Sequence, residues 1–320
     1  MAPAPTLTDY LAGRTTPETG AVILGLSAAA AETAARLAGF ASGPALETEA
    51  DAAFAARLAP LGVRFLASRP QGGVSELDPS ATLAVAIDPL DATAIEANSP
   101  PGTLFSLYPA RPGAAEASFL RPGTDQTAAG CILYGPRTTL ALTTGQGTAL
   151  FILDRETGAL PGVFRCHTPE LRIPSDTAEF AANAGEYQHW EPPVRRFFDD
   201  CLSGADGPHE QNFDMRWTGS LVAEAQRILL RGGIYLAPLG ALTPLRLIHH
   251  CHPVAMLTEQ AGGQATDGLT RLLDQAAAAL DTSSPLVFGS PGKVARVAAY
   301  HDLPDSEASP LFGRRGLFRL

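Results

Sequence analysis

Asp88 and Asp91 are the residues of this 320-residue chain whose type and spacing most directly suggest chemistry. They close an apolar run, Leu83-Ala84-Val85-Ala86-Ile87, with Pro89 and Leu90 between them. A turn through Pro89 can aim both carboxylates and the Leu90 carbonyl at one point. Hard oxygen donors grouped in this way suit Mg²⁺ or Mn²⁺ bridging to a phosphate. Three small residues follow, Ala92-Thr93-Ala94, leaving room for a ligand to approach. Taken alone, the same residues also read as an Asp-Pro turn that closes a strand.

The elements that must position this turn are short. Residues 63–67, 83–87, 103–108, 129–134, 138–143 and 148–153 are strand-like runs separated by Gly, Pro and Asp, which predicts a sheet built largely from antiparallel neighbours. Ahead of them, residues 18–37 and 46–61 carry Ala and Leu at helical spacing and predict two helices layered on that sheet. A second unit is expected after Ile173-Pro174, dividing the chain into 1–173 and 174–320. Within it the sequence predicts strands over 179–182, 234–237 and 245–249, with residues 285–289 leading into the last helix. Helices are predicted over 192–202, 220–230, 253–260 and 293–300, with an exposed loop over 204–212.

Composition narrows the function. Apolar residues make up 45% and charged residues 18%, the balance of a globular chain. The net charge is −10 and no run of Lys and Arg follows a nucleic-acid backbone or an anionic membrane, so neither is an expected partner. Four cysteines, Cys131, Cys166, Cys201 and Cys251, form no CxxC pair and read as reduced thiols. With no basic region and apolar core at the N-terminus and no long apolar run, a soluble, cytoplasmic protein is expected.

Several further segments, in order, carry a resemblance. They are Asp88-Pro89-Leu90-Asp91, Gly102-Thr103-Leu104-Phe105-Ser106, the run AAGCILYGP from Ala128 to Pro136, and Asn183-Ala184-Gly185. The run GSLVAE from Gly219 to Glu224, Gly232-Gly233-Ile234-Tyr235 and EQAGG from Glu259 to Gly263 complete the set. Together they are similar to class 1 fructose-1,6-bisphosphatases over about residues 46–301. The resemblance implies an α/β fold of five layers, αβαβα, in a homotetramer. It further implies hydrolysis of fructose 1,6-bisphosphate to fructose 6-phosphate and phosphate in gluconeogenesis or the Calvin cycle, with Mg²⁺ or Mn²⁺ neutralising the transferring phosphoryl group. Carried over residue by residue, Asp88, the Leu90 carbonyl and Asp91 would hold metal. Asp91, Glu47 and Thr93 would serve catalysis, and Ala92, Thr93, Asn183, Arg216 and Arg246 would bind the sugar phosphate, with Arg216 reaching into a neighbouring subunit.

The departures from the family's pattern are as specific as the matches. Ala92 stands where the family has glycine, Arg69 and Pro70 replace two metal-binding glutamates, and His250 replaces a third. Glu47 stands for a shorter aspartate, with Asp51 as the neighbouring candidate; Trp217, Ala237 and Pro244 replace two tyrosines and a lysine of the sugar site. A guanidinium opposes a divalent ion rather than binding it. On a predicted strand His250 and His252 would share a face, where Asp88, Asp91 and His250 could hold a softer ion such as Zn²⁺, or the histidines could simply fill the pocket. Three readings follow: a sugar-bisphosphate phosphatase with an altered metal site; a catalytically silent relative that binds sugar phosphate or assembles with an active one; and, between them, a phosphatase acting on another substrate with one metal or none.

Overall fold

The structure is a computed structural model that describes residues 4–37, 43–91, 94–95, 98–155, 162–242 and 244–303. Three helices open the chain: α1 (Leu7–Leu11), α2 (Pro17–Arg36) and α3 (Gly43–Leu58). The first is held by a capping box in which Thr6 and Asp9 satisfy each other's backbone donors. The second starts at Pro17, where the fixed φ of proline suits a first helical position, with the Thr16 hydroxyl accepting from the Thr19 amide.

Eight strands follow: β1 (Val63–Ser68), β2 (Gly73–Glu76), β3 (Leu83–Asp88), β4 (Gly102–Pro109), β5 (Ala128–Leu133), β6 (Thr139–Thr143), β7 (Thr148–Asp154) and β8 (Val163–Thr168). They form one sheet in the order β2-β1-β3-β4-β5-β6-β7-β8, in which only β1 and β3 run parallel. The sequence pattern conveys the antiparallel character but not the edges. β2 and β8 are half-exposed strands without an unbroken apolar run, so neither stands out from the loops around it.

The second half contributes α4 (Pro192–Ser203), α5 (Leu221–Arg231), α6 (His252–Gln260) and α7 (Pro291–His301), and strands β9 (Glu179–Ala182), β10 (Asp214–Met215), β11 (Ile234–Ala237), β12 (Leu245–Arg246), β13 (Gln264–Thr266), β14 (Ser283–Ser284) and β15 (Leu286–Gly289). Five of these strands form a second sheet in the order β10-β9-β11-β15-β13. The strand predicted over 245–249 is corrected. Only Leu245 and Arg246 are extended, and Leu247–Cys251 wind into a π-helical turn that runs into α6. Leu247, Ile248, Cys251, Val254 and Ala255 are all buried at helical spacing, and Pro253 lies in the first turn of α6, where it fits a helix start.

Side-chain parity sorts the layers. On β3, Val85 and Ile87 join Val22, Ile23, Leu26 and Phe54 of α2 and α3, while Ala84 and Ala86 face Ile228 and Leu229 of α5 and Val254 and Leu257 of α6. On β11, Tyr235 points back to that middle layer, whereas Ile234 and Leu236 pack on Phe197 of α4 and Val297 of α7. The result is a five-layer αβαβα sandwich. Asp88 continues the even-numbered parity of β3, so its carboxylate faces the middle layer.

Candidate functional site

Two parallel strands end side by side here, the place where open α/β sheets commonly bind ligands. β1 and β3 are in register to Ser68 and Ile87, and the Arg69 amide extends the ladder by donating to the Ile87 carbonyl at 2.9 Å. Arg69 and Asp88 therefore leave the sheet as neighbours. The turn after Asp88 is pinned from β4: the buried Thr103 hydroxyl donates to the Pro89 carbonyl at 2.6 Å, and the Asp91 amide donates to the Gly102 carbonyl at 3.2 Å. Leu90 anchors the turn by burying its side chain in the core beneath α2 and α3. Glycine is required at 102, because a Cβ there would sit 2.6 Å from the Ile132 carbonyl and collide with Val222 at the start of α5.

The charges form one cluster. Arg69 Nε lies 2.9 Å from Asp88 Oδ2, and the same guanidinium donates through Nη2 to Glu47 of α3. His250 Nε2 also meets Asp88 Oδ2, at 2.8 Å. Its other nitrogen, Nδ1, lies 2.9 Å from the Arg246 amide, which has only a hydrogen to offer. Nδ1 is thus the acceptor, and Nε2 carries the proton and donates to Asp88. Burial opposes the Asp88 charge, yet the His250 and Arg69 contacts outweigh it and hold the carboxyl at about 2. Burial, reinforced by the Asp88 and Asp91 charges, pushes the Glu47 carboxyl up against the opposing pull of Arg69. Asp51, one turn further along α3, is tied to Ser68 and, at 2.7 Å, to Gln71.

Arg69, Asp88, Asp91 and His250 border a recess of about 200 Å³, closed on the far side by Leu221, Val222 and Leu245. A larger cavity of about 280 Å³ adjoins it, lined by Asp91, Asn183, Glu186, Trp217, Tyr235 and Ala237 among others. Among the described residues, Asp91 is the charged group common to both. Trp217 stacks on Tyr235, with ring centroids 6.0 Å apart and planes 23° from parallel, and Asn183 donates to Glu186 at 2.8 Å.

Of the residues singled out from the sequence, Asp88, Asp91, Glu47 and His250 come together with Arg69, and Asn183 lines the adjoining cavity. Ala92 and Thr93 lie outside the described residues. Arg216 is half-exposed, 3.3 Å from Asp214, and lines neither cavity. Arg246 turns away to the Asp281 carbonyl and the Ser283 hydroxyl, the latter at 3.0 Å. His252 shares no face with His250; it is fully buried between the Tyr108 hydroxyl at 3.2 Å and the Gln275 carbonyl at 3.1 Å. Glu186 and Tyr235 were not singled out as site residues. The available signal for Tyr235 was its odd parity on β11, which turns an aromatic ring toward the middle layer.

A divalent ion does not fit the cluster as it stands. One oxygen of Asp88 already carries both Arg69 and His250, Glu47 holds the same guanidinium, and His250 has no lone pair to give. Among the described residues no group of three or more His, Cys, Asp or Glu side chains is arranged to hold a metal. Asp88 Oδ1, buried and without a hydrogen-bond partner, is the one oxygen of that carboxylate left open.

A five-layer α/β sandwich with an acid-and-arginine cleft at its strand ends defines a member of the sugar-phosphatase class. Solved structures place it more closely. Fructose-1,6-bisphosphatase of Leishmania major, in its holo form, superposes with a TM-score of 0.86 at 27% identity, over 94% of this chain and all of that one. The domain families described as fructose-1-6-bisphosphatase, N-terminal domain and C-terminal domain match residues 50–163 and 173–302. Class 1 fructose-1,6-bisphosphatases of Paracoccus denitrificans and of a Bradyrhizobium strain are 52% and 50% identical, over 86% of this chain and 84% and 81% of theirs. The chain belongs to the fructose-1,6-bisphosphatase family.

Proposed function

We infer that this chain hydrolyses fructose 1,6-bisphosphate to fructose 6-phosphate and inorganic phosphate. The observation that carries this reading is a pair of adjoining pockets that share Asp91: the recess of Arg69 and Asp88 and the cavity of Asn183 and Trp217. A phosphoryl group in the first and a sugar in the second would place the scissile bond beside Asp91. In the reaction a water oxygen bonds to phosphorus, the bond from phosphorus to the sugar oxygen breaks, the departing sugar oxygen takes up a proton from solvent, and the proton of the attacking water needs an acceptor. Asp91 takes it in this reading, and Glu47, Asp88 and His250 orient the groups around it. The family resemblance assigns Thr93 a hydroxyl contact to the phosphoryl group, and Asn183 adds a polar contact to the sugar in this reading.

In this reading, which follows the family resemblance, the working unit is a homotetramer and Arg216, half-exposed beside Asp214, serves the cleft of a neighbouring copy. The family resemblance implies Mg²⁺ or Mn²⁺, but the described side chains do not gather a ligand set for either, and no step here is routed through one. No helix among the described residues is long and apolar enough to cross a membrane, and the four cysteines are free and buried, in keeping with a reduced compartment. The matched relatives lend no support to a silent paralogue. Phosphate release from fructose 1,6-bisphosphate tests the reading: Asp91→Asn should lower kcat by about 10² or more. Turnover of that variant at the wild-type rate would remove Asp91 from the chemistry.

A further inference from the structure

The guanidinium of Arg69 is held from two sides and open on a third. Nε forms an ion pair with Asp88 at 2.9 Å and Nη2 donates to Glu47, while among the described residues Nη1 has no partner. The side chain is only about one-third exposed and borders the recess that Asp88 and Asp91 line. Two carboxylates from different elements, the end of β3 and the first turns of α3, thus fix the plane of a permanently charged fork at the phosphoryl end of the cleft. Such a fork matches the spacing of two phosphate oxygens and costs little entropy to use, because its orientation is already set.

We propose that Arg69 is the phosphate-binding cation of this site, so that the chain binds its sugar bisphosphate without a divalent ion. The proposal rests on the phosphatase reading for the identity of the ligand but makes a separate claim about how it is held. Three features converge on it. The position nearest both acids is already filled by a cation that cannot lose its proton at working pH. The histidine beside it donates to Asp88 instead of offering a lone pair. The remaining nitrogen of the fork, Nη1, meets no partner among the described residues. A fixed guanidinium stabilises charge on a transferring phosphoryl group by directional N–H donation, the role that arginine takes in other phosphoryl-transfer sites. It does not lower the pKa of water as a metal does, so water activation stays with a carboxylate.

Calorimetric titration of the full-length protein with fructose 1,6-bisphosphate, in EDTA and again in Mg²⁺, tests the claim. The wild type should bind in EDTA within about threefold of its affinity in Mg²⁺. Arg69→Gln should bind about 10- to 100-fold more weakly in both buffers, the loss expected for a charge-assisted contact. Arg69→Lys keeps the charge balance that Glu47 and Asp88 need for folding but cannot span three partners, and it should lose about tenfold. Binding that requires Mg²⁺, with Asp88 Oδ1 and Asp91 then sharing the ion, would overturn the proposal, as would an Arg69→Lys variant that binds like the wild type. EDTA-resistant binding without phosphate release would leave Arg69 in its role and refute the activity. Mg²⁺-dependent binding accompanied by release would keep the activity and refute Arg69.

Discussion

His252 gives the fold a pH dependence that can be worked out in advance. Its ring is fully buried at the start of α6, with Nδ1 accepting from the Tyr108 hydroxyl and Nε2 donating to the Gln275 carbonyl, so both nitrogens are satisfied in the neutral form. Burial pushes its pKa down from 6.5 to about 4, against a smaller opposing pull from the Gln275 carbonyl. The unfolded chain takes up a proton below its ordinary pKa and the folded chain only below about 4. Stability is therefore lost as pH falls from roughly 6.5 toward 4. Between pH 7 and pH 5 the loss from this one residue is about 2 kcal/mol. His249, buried and also lowered to about 4, adds a similar amount, so these two residues together should cost the wild type roughly 4 kcal/mol. Urea unfolding at the two pH values reads it directly as a shift in midpoint. His252→Gln, which cannot charge, should lower stability at pH 7 but remove about half of the pH-dependent loss. An unchanged difference between pH 7 and pH 5 in that variant would refute the assignment of a buried neutral imidazole.

Two further outcomes follow from contacts around the cleft. Gly102→Ala forces a methyl against the Ile132 carbonyl and Val222 and should cost about 1–3 kcal/mol in urea unfolding, with the Asp91 turn disturbed in proportion. Trp217→Ala removes the ring stacked on Tyr235 in the sugar cavity, so KM for fructose 1,6-bisphosphate should rise roughly 2- to 10-fold while kcat changes less than about twofold, measured by phosphate release.

Most elements of the sandwich are legible because their signals are redundant, while the five-layer arrangement itself follows from the family resemblance. Apolar runs between Gly and Pro marked the central strands, and proline starts and glycine stops marked α4, α5 and α6. The parity of β3, Ala84 and Ala86 to one side and Val85 and Ile87 to the other, already fixes which layer Asp88 faces. What could not be read depended on competing periods or on long side chains. Leu247, Ile248 and Cys251 satisfy a buried strand as well as a buried helix, and only packing against β14 and α6 decides between them. Arg246 and Arg69 lie on similar strand ends, yet one swings out to Asp281 and the other in to Asp88. Residue type does not encode that choice; the acid within reach does. Glu47 and Asp88 are 22 and 19 residues from Arg69 in the chain, and meet it only when α3 is laid against the end of β1.

The position of Arg69 also reorders the roles of the acids around it. A divalent ion makes its ligands interchangeable in one respect, since each contributes charge to the same point. A guanidinium does not: its donors point in fixed directions, so each carboxylate has a distinct partner. Asp88 and Glu47 are spent on orienting the fork, and burying that fork without them would leave an uncompensated charge. Asp91 is different, because it borders the sugar cavity as well as the recess and its Oδ1 is steered by the Ala94 amide at 3.2 Å. With charge stabilisation assigned to Arg69, the proton of the attacking water falls to Asp91, which is why the two residues should fail differently: loss of Arg69 in affinity, and loss of Asp91 in turnover.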